Sequence, residues 1–400
     1  MSIQIKPTIG HVSVCHTCGG QINAHEVLWQ GIHICGRYRC AQCGTKFIED
    51  LPVGQAIFTP YRVTADGTLL GDDSARTFFG TPLMESLRNP CADVSIGFKV
   101  EIKKSFRNVV VLNCIDFLYG HCLLKLLNAQ AHVNDDTRGI IVIVPSLLRW
   151  MVPVHVAEVW EVDIPLGMAQ SFFPDLDRRI CRELDRFDSV HVSLAHSHPA
   201  GIDISAFTGV RGHNFAGESY RITFVWRADR IWAGDGLLVR ALRKFGMRAA
   251  LMRIQWRKIC RLFENARGNL PNATFTVTGL GRDFSFPPWI DDLRTAAFDA
   301  RAEIAACRIY SESRIVIGVH GSNMLLPSAH AGMSVDLMPA DRWSNLAQDI
   351  LYSPGDFGGD PRMVCFRHRY VPVETSPRTL EVMIVSMLRS YSSAEAAFRS

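Results

Sequence analysis

The stretch IVIGVHGSNMLLPSAHAGMSVDLMP, residues 315–339, decides how this chain is read. Its apolar run from Ile315 to Val319 has the continuity of a parallel strand buried on both faces. A polar turn follows, His320-Gly321-Ser322-Asn323. Small and apolar residues resume from Met324 to Ala331 as a helix would. Gly332 punctuates, and Ser334 to Met338 reads as the next strand before Pro339. A strand, a turn and a helix start gather free backbone N–H groups and the positive end of a helix dipole at one point. That is an anion site, and phosphate is its most common occupant. Gly321 lets the backbone approach closely, His320 adds a donor, and Ser322 and Asn323 are good caps.

The same alternation extends toward the N-terminus as far as Phe106. Asn108 to Asn113 is a buried strand, followed by the turn CIDFLYGH and an apolar helix from Cys122 to Ala131. Strands are expected at Gly139 to Pro145, Ala157 to Ile164 and Ser189 to Leu194. After a polar interruption at Gly209 to Ser219, the series restarts at Tyr220 to Trp226. It continues through a helix from about Leu237 to Glu264, a strand at Thr274 to Thr278 and a helix from about Trp289 to Ala306. Strands alternating with helices give parallel sheets covered on both faces. The expected architecture is α/β, with two Rossmann-like domains facing each other at 106–215 and 216–375 and a C-terminal helix at 376–400. Ligands of such folds lie beyond the carboxyl ends of the strands. Three of those ends are polar: Asp116 to His121, Arg227 to Arg230, and His320 to Asn323.

The N-terminus carries a second signal, VCHTCGGQINAHEVLWQGIHICGRYRCAQCGTKF. Cys15 and Cys18 form one C-x-x-C, Cys40 and Cys43 another, with twenty-one residues between the pairs. Two such turns present four thiolates to one tetrahedral ion, which predicts a structural zinc ribbon over 1–55. A redox pair is the competing reading, and Cys35, His16, His25 and His33 are substitute ligands. A ribbon of this size depends on its metal for folding. Residues 56–105, with Pro60, Pro82 and Pro90 recurring after Pro52, read as a linker with short elements.

Three pieces together resemble bacterial members of glycosyltransferase family 61. They are the helix-opening Gly-His of FLYGHCLLKLLNAQ, the Arg after the strand in ITFVWRADRIW, and the turn GVHGSNMLLPSAHAG followed by SVDLMP. The resemblance spans roughly residues 106 to 375. It implies a GT-B fold and sugar transfer from a nucleotide-sugar donor to an acceptor hydroxyl, independent of a catalytic metal and with inversion. The family's Gly-His helix usually carries an acidic residue a few positions on, where this chain has Leu124, Lys125 and Leu126. A metal-free transferase must neutralise the departing diphosphate with Arg and backbone donors. Arg227 and the turn at 320–323 suit that task, with Arg230, Gly281 and Asp283 as further donor-binding residues and Asp283 or Asp336 on a ribose hydroxyl. His121 and Asp116 are the candidate bases, with Arg227 beside them as a catalytic residue. Each has a plainer role available: Asp116 as a helix cap, His320 as a core histidine, Arg227 as a partner of Asp229.

The segment 237–264 is strongly basic, through Arg240, Arg243, Lys244, Arg248, Arg253, Arg257, Lys258 and Arg261, with Leu238, Leu242, Phe245, Met252 and Ile259 as its apolar face. It is a solvated face or a contact for an anionic surface. His196 and His198 read as a polar loop, and Gly279-Leu280-Gly281 is too short for a dinucleotide fingerprint. Composition adds bounds. A hydrophobic fraction of 48% is that of a globular chain, and a net charge of +4 selects no partner. The N-terminal residues lack a secretory pattern and no apolar run suggests a membrane span, so a cytoplasmic protein with free thiols is expected. The alternative function is a zinc-ribbon nucleic-acid-binding or scaffold protein with a non-catalytic α/β body.

Overall fold

Uninterrupted β-branched runs form the buried middle of two six-stranded sheets, one in each half of the chain. The computed structural model describes residues 2–199, 201–215, 219–234, 236–297, 299–346, 348, 350–351 and 364–399. The chain divides into two units, Met1–Ala200 and Gly201–Ser400.

The first unit begins with β1 (Ser2–Lys6), β2 (Val12–Val14), β3 (Gln21–Asn23), β4 (Glu26–Trp29), β5 (Ile34–Arg39), β6 (Lys46–Asp50), β7 (Arg62–Thr64), β8 (Leu69–Leu70) and α1 (Thr81–Arg88). It continues with β9 (Gly97–Ile102), β10 (Asn108–Asn113), α2 (Tyr119–Leu127), β11 (Gly139–Pro145), β12 (Glu158–Asp163), α3 (Pro174–Leu184) and β13 (Ser189–Ser193). Its main sheet has the order β1-β13-β10-β11-β12-β9. The inner strands β13, β10, β11 and β12 are parallel, while β1 and β9 close the edges antiparallel. The strand order reverses between β10 and β13, so the crevice for a ligand opens beyond their carboxyl ends.

The ribbon and the linker are less separate than the sequence suggests. The hairpin β2–β3 is free-standing, but β4 to β8 form one five-stranded sheet running through residue 70. Trp29, Ile32 and Ile34 join the core of the main sheet with Val111, Ile143 and Trp160. The reason is burial: in β5, Ile34, Cys35, Gly36 and Tyr38 are all buried, too many for a surface ribbon, and they require a partner. β1 precedes the ribbon in sequence yet pairs with β13, Ile3 opposite Val192.

The second unit contains α4 (Ser205–Thr208), β14 (Tyr220–Trp226), α5 (Leu237–Lys244), α6 (Arg248–Arg267), β15 (Ala273–Gly279), β16 (Ile290–Asp292), α7 (Ala300–Glu312) and β17 (Ser313–Val319). After these come α8 (Leu325–His330), β18 (Met333–Met338), α9 (Val364–Arg367), β19 (His368–Pro372) and α10 (Pro377–Arg399). The sheet order is β16-β15-β14-β17-β18-β19, all parallel. Numbered by sequence this is 3-2-1-4-5-6, the dinucleotide-fold order, with its reversal between β14 and β17. Phe224, Ile317 and Val335 pack with Ile259 and Phe263 of α6 and Leu380 and Ile384 of α10.

Three local expectations change. The basic helix is two helices, broken at Gly246, whose φ of +65° lies in the left-handed region. The helix expected from Trp289 starts only at Ala300, where Asp299 accepts the Ala302 N–H; residues 290–292 pair instead with β15. Residues 201–215, assigned from sequence to the first domain, fall in the second unit, where the His213 N–H donates to the His330 carbonyl at 2.8 Å and Phe215 stacks on Tyr391. The part of the second expected domain at 352–363 lies outside the described residues.

Candidate functional site: the two strand reversals and the thiol cluster

β14 ends at Trp226, so Arg227 is the first residue past the sheet at the reversal. Its guanidinium reaches over β17: Nη1 donates to Asn323 Oδ1, while Nε donates to Asp229 Oδ1 at 2.8 Å and Nη2 to Asp229 Oδ2. Arg230 reaches the same place, Nη1 donating to the His320 carbonyl at 2.8 Å. Both guanidinium groups lie over Gly321, whose φ is +145°. A Cβ at Gly321 would meet Arg230 Nη1 first and stand 2.8 Å from Arg227 Nη1. Four expected residues, Arg227, Arg230, Gly321 and Asn323, are therefore together. The pairing of Arg227 with Asp229 coexists with this: burial would raise the Asp229 pKa, but Arg227, with a smaller contribution from Arg230, holds it below the usual carboxylate range.

The remaining turn residues differ from expectation. His320 is 1% exposed, with Nδ1 3.7 Å from Asp336 Oδ2 and its ring edge-on to Tyr370. It belongs to the core rather than to a ligand surface, and Asp336, 2% exposed, is with it rather than at a ribose. Ser322 and Asn323 do not cap the helix: they lie in a short 3-10 turn, Ser322–Met324, that begins after Gly321, and Met324 is at the cap position of α8; Asn323 serves Arg227 instead. The helix α8 that follows has only six residues, so its dipole is weak and the arginines carry the positive charge. Gly281 and Asp283 lie beyond β15 on the other side of β14. The space over Gly281 is bounded by Asp283 Oδ2 at 3.5 Å and Trp226 Nε1 at 3.6 Å.

Beside Arg230 opens a cleft of about 440 Å³ at the ends of β14, β17, β18 and β19. Arg230, Arg243, Arg248 and Arg342 line it against Asp229 and Asp341. Arg342 escaped the sequence reading, though its signal is there: a cation three residues past Pro339, at another strand end.

In the first unit the reversal places Asp116 just beyond β10, fully buried. Its carboxylate binds Lys125 Nζ at 2.9 Å and His121 Nδ1 at 3.2 Å, and accepts from Gln55 Nε2 and the Leu118 N–H. Burial alone would raise its pKa; Lys125 and His121 outweigh that and hold it well below the usual carboxylate range. Asp116 is thus a fixed anion and an orienter; it accepts the Leu118 N–H ahead of α2 but does not cap the helix, whose cap position is Leu118. The His121 side chain is about one-third exposed, whereas those of Lys125 and Asp116 are buried. Sequence reasoning noted Lys125 only as a departure from a pattern. Gln55 had no local signal, since it comes from sixty-one positions away.

The four cysteines of the two C-x-x-C turns are brought together, with their Sγ atoms all within 4.8 Å of one another. Cys15 and Cys43 are 3.6 Å apart and Cys18 and Cys40 3.5 Å. A tetrahedron with metal–sulfur bonds of about 2.3 Å has sulfur–sulfur edges of about 3.8 Å, so the set fits one ion. In each turn a backbone N–H folds back on the first cysteine, Gly19 to the Cys15 carbonyl and Gly44 to the Cys40 carbonyl. Among the described residues this is the one cluster of metal-binding type. Cys35 and His33 instead hold Asp50 inside the five-stranded sheet. The loop with His196 is tied by Asn128, whose Oδ1 accepts the His196 N–H at 2.9 Å.

No family model matches this chain, and no curated protein matches it. Among solved structures, E. coli ADP-heptose LPS heptosyltransferase II aligns over 71% of this chain and 99% of its own, at 11% identity and a TM-score of 0.38.

Proposed function

We propose that the chain is a glycosyltransferase of the GT-B kind, moving a sugar from a nucleotide-sugar donor to an acceptor hydroxyl without a catalytic metal and with inversion. The observation that carries this reading is the convergence of Arg227 and Arg230 on Gly321 at the reversal of a 3-2-1-4-5-6 sheet. A diphosphate there meets two guanidinium groups, which the missing Cβ of Gly321 allows to close over the turn. The resemblance of the Gly-His, Arg and Gly-x-His-Gly motifs to glycosyltransferase family 61 supports the choice of sugar transfer among diphosphate chemistries.

In such a transfer the acceptor oxygen bonds to the anomeric carbon, its proton passes to a base, and the bond to the diphosphate breaks. Arg227 and Arg230 offset the charge that grows on the leaving group. His121, with Nδ1 turned to Asp116, keeps Nε2 for the acceptor proton. Gly281 and Asp283 take the nucleoside. The four cysteines hold a structural zinc, the basic segment 237–264 contacts an anionic surface, and the setting is cytoplasmic, in keeping with eleven described cysteines that are all free.

The test is calorimetric titration with nucleoside diphosphates, followed by donor hydrolysis. Binding with Kd below the millimolar range, reduced at least ten-fold in Arg227→Ala, is expected. A parent chain that binds no nucleoside diphosphate refutes the reading.

A further inference from the structure

The corner between α5 and α6 reads Lys244-Phe245-Gly246-Met247-Arg248. Sequence periodicity places Phe245 on the apolar face of one long helix. In the structure the helix breaks at Gly246, and Phe245 is 74% exposed and Met247 51%. Leu237, at the start of α5, is 84% exposed. α5 is nonetheless anchored, because Val239 and Leu242 pack with Leu251, Ala233 and Ile254. Single exposed apolar residues are ordinary on protein surfaces. Here two of them form the tip of a turn and are bracketed on both sides by cations.

The segment that carries the tip has charge of one sign along its sequence. Between residues 237 and 263 there are eight Lys and Arg residues and no Asp or Glu; the first acid is Glu264. Arg253, Arg257 and Arg261, at helical spacing of four, form an exposed stripe on α6. A solvated helix face normally mixes signs to form i,i+4 pairs, and this one does not. Asp229 and Asp341, the nearest acids in the adjoining cleft, belong to other loops.

We infer that the Lys244–Arg248 corner is a docking tip for an anionic bilayer surface. Phe245 and Met247 enter the headgroup region, and the flanking cations and the α6 stripe meet lipid phosphates. The charge pattern is complementary to lipid and to nucleic acid alike. The exposed Phe and Met favour lipid, since a bilayer interface buries apolar side chains while a phosphate backbone offers them nothing. The contact is peripheral: no helix of the described residues is long and apolar enough to cross a membrane. Leu242, Arg243, Gly246 and Arg248 also wall the cleft beside Arg230. Docking therefore sets the mouth of that cleft at the headgroups. Resting on the transferase reading, this names the acceptor class as a hydroxyl carried on a lipid.

The experiment is flotation of the full chain with vesicles of phosphatidylcholine alone, or containing about one-third phosphatidylglycerol. The parent is expected to float with the anionic vesicles, not with the neutral ones, and less so as salt rises. The double variant Phe245→Ser, Met247→Ser alters exposed side chains outside the cleft. It should melt at the parent's temperature and bind nucleoside diphosphate equally, yet partition at least ten-fold less. A parent that stays at the bottom of the gradient overturns the inference, as does a double variant that floats undiminished. Tighter binding of a single-stranded oligonucleotide than of vesicles, unaffected by the double substitution, assigns the corner to nucleic acid instead. Vesicle binding is read without donor or acceptor. A chain that floats but binds no nucleoside diphosphate therefore fails the transferase reading alone.

Discussion

At the scale of single residues, position relative to strand ends decided what could be read in advance. Arg227 and Gly321 were legible because each stands within two residues of a buried run. His320 was misjudged because its neighbour across the strands, Asp336, is not adjacent in sequence; only the pairing of β17 with β18 brings the two into one buried group. Lys125 and Gln55 were invisible as partners of Asp116 for the same reason. Substitutions separate these roles. Gly321→Val places a branched side chain at φ of +145° against two guanidinium groups, which costs roughly 1–3 kcal/mol in strain and should displace both arginines. A melting temperature lower by a few degrees with nucleoside diphosphate binding lost is expected in calorimetry. Intact binding would mean that the arginines serve the fold. Arg227→Lys keeps the charge but loses the fork shared between Asn323 and Asp229, so turnover should still fall at least ten-fold. Asp116→Asn strands the buried Lys125 ammonium, and breaking a buried pair costs about 3–5 kcal/mol. Chemical denaturation should show a loss of that size, whereas His121→Ala should spare stability and remove turnover.

At the scale of elements, long apolar runs were read correctly as strands, because a β-branched run buried on both faces has few alternatives. Short edge strands were not. β1, β9 and β19 lie at the rims of their sheets, where the hydrophobic pattern is weakest and tertiary pairing makes the element. The ribbon was legible as four cysteines but not as part of a larger sheet, since the burial of Trp29 and Ile34 depends on Trp160 and Val111 far along the chain. This changes what metal loss should do. The knuckles and β2–β3 have only the small core of Ile22, Tyr38 and Phe47, whereas β4 and β5 are held by the main sheet. Structural zinc in small modules contributes roughly 10–16 kcal/mol of apparent binding free energy. Chelation, or Cys40→Ser, should therefore speed amide exchange over residues 11–24 and 38–46 and leave β10 to β13 protected. Uniform loss of protection across the first unit would contradict this division, and metal analysis that finds no zinc would remove its premise.

At the scale of the whole molecule, acid sensitivity should differ between the two units. Burial pushes His213 and His330 down to about 4 and His368 to about 3, from an ordinary value of 6.5. All three lie in the second unit, neutral in the folded state. Above pH 6.5 they are neutral folded or unfolded and contribute nothing to the pH dependence. Below it the unfolded chain takes up protons that the folded chain refuses, so stability falls until the folded values are reached near pH 4. Three protons correspond to a slope of up to about 4 kcal/mol per pH unit, less to the extent that the partly exposed His213 is screened. In the first unit burial pushes one histidine this far, His132, to about 4, and lowers His11 and His191 by less. Calorimetric scans from pH 7 to pH 5 should show the second unit's transition moving down first; parallel movement of both would refute the assignment. The edge position of β1 has a consequence of another kind. During synthesis its partner β13 emerges some 190 residues later, while the metal knuckles need only the first forty or so. The ribbon can thus ripen on the ribosome beside an orphan strand, whose exposed edge invites foreign pairing until Ser193 appears. The first few residues of the first unit thus wait for the last strand of that unit before they find their place.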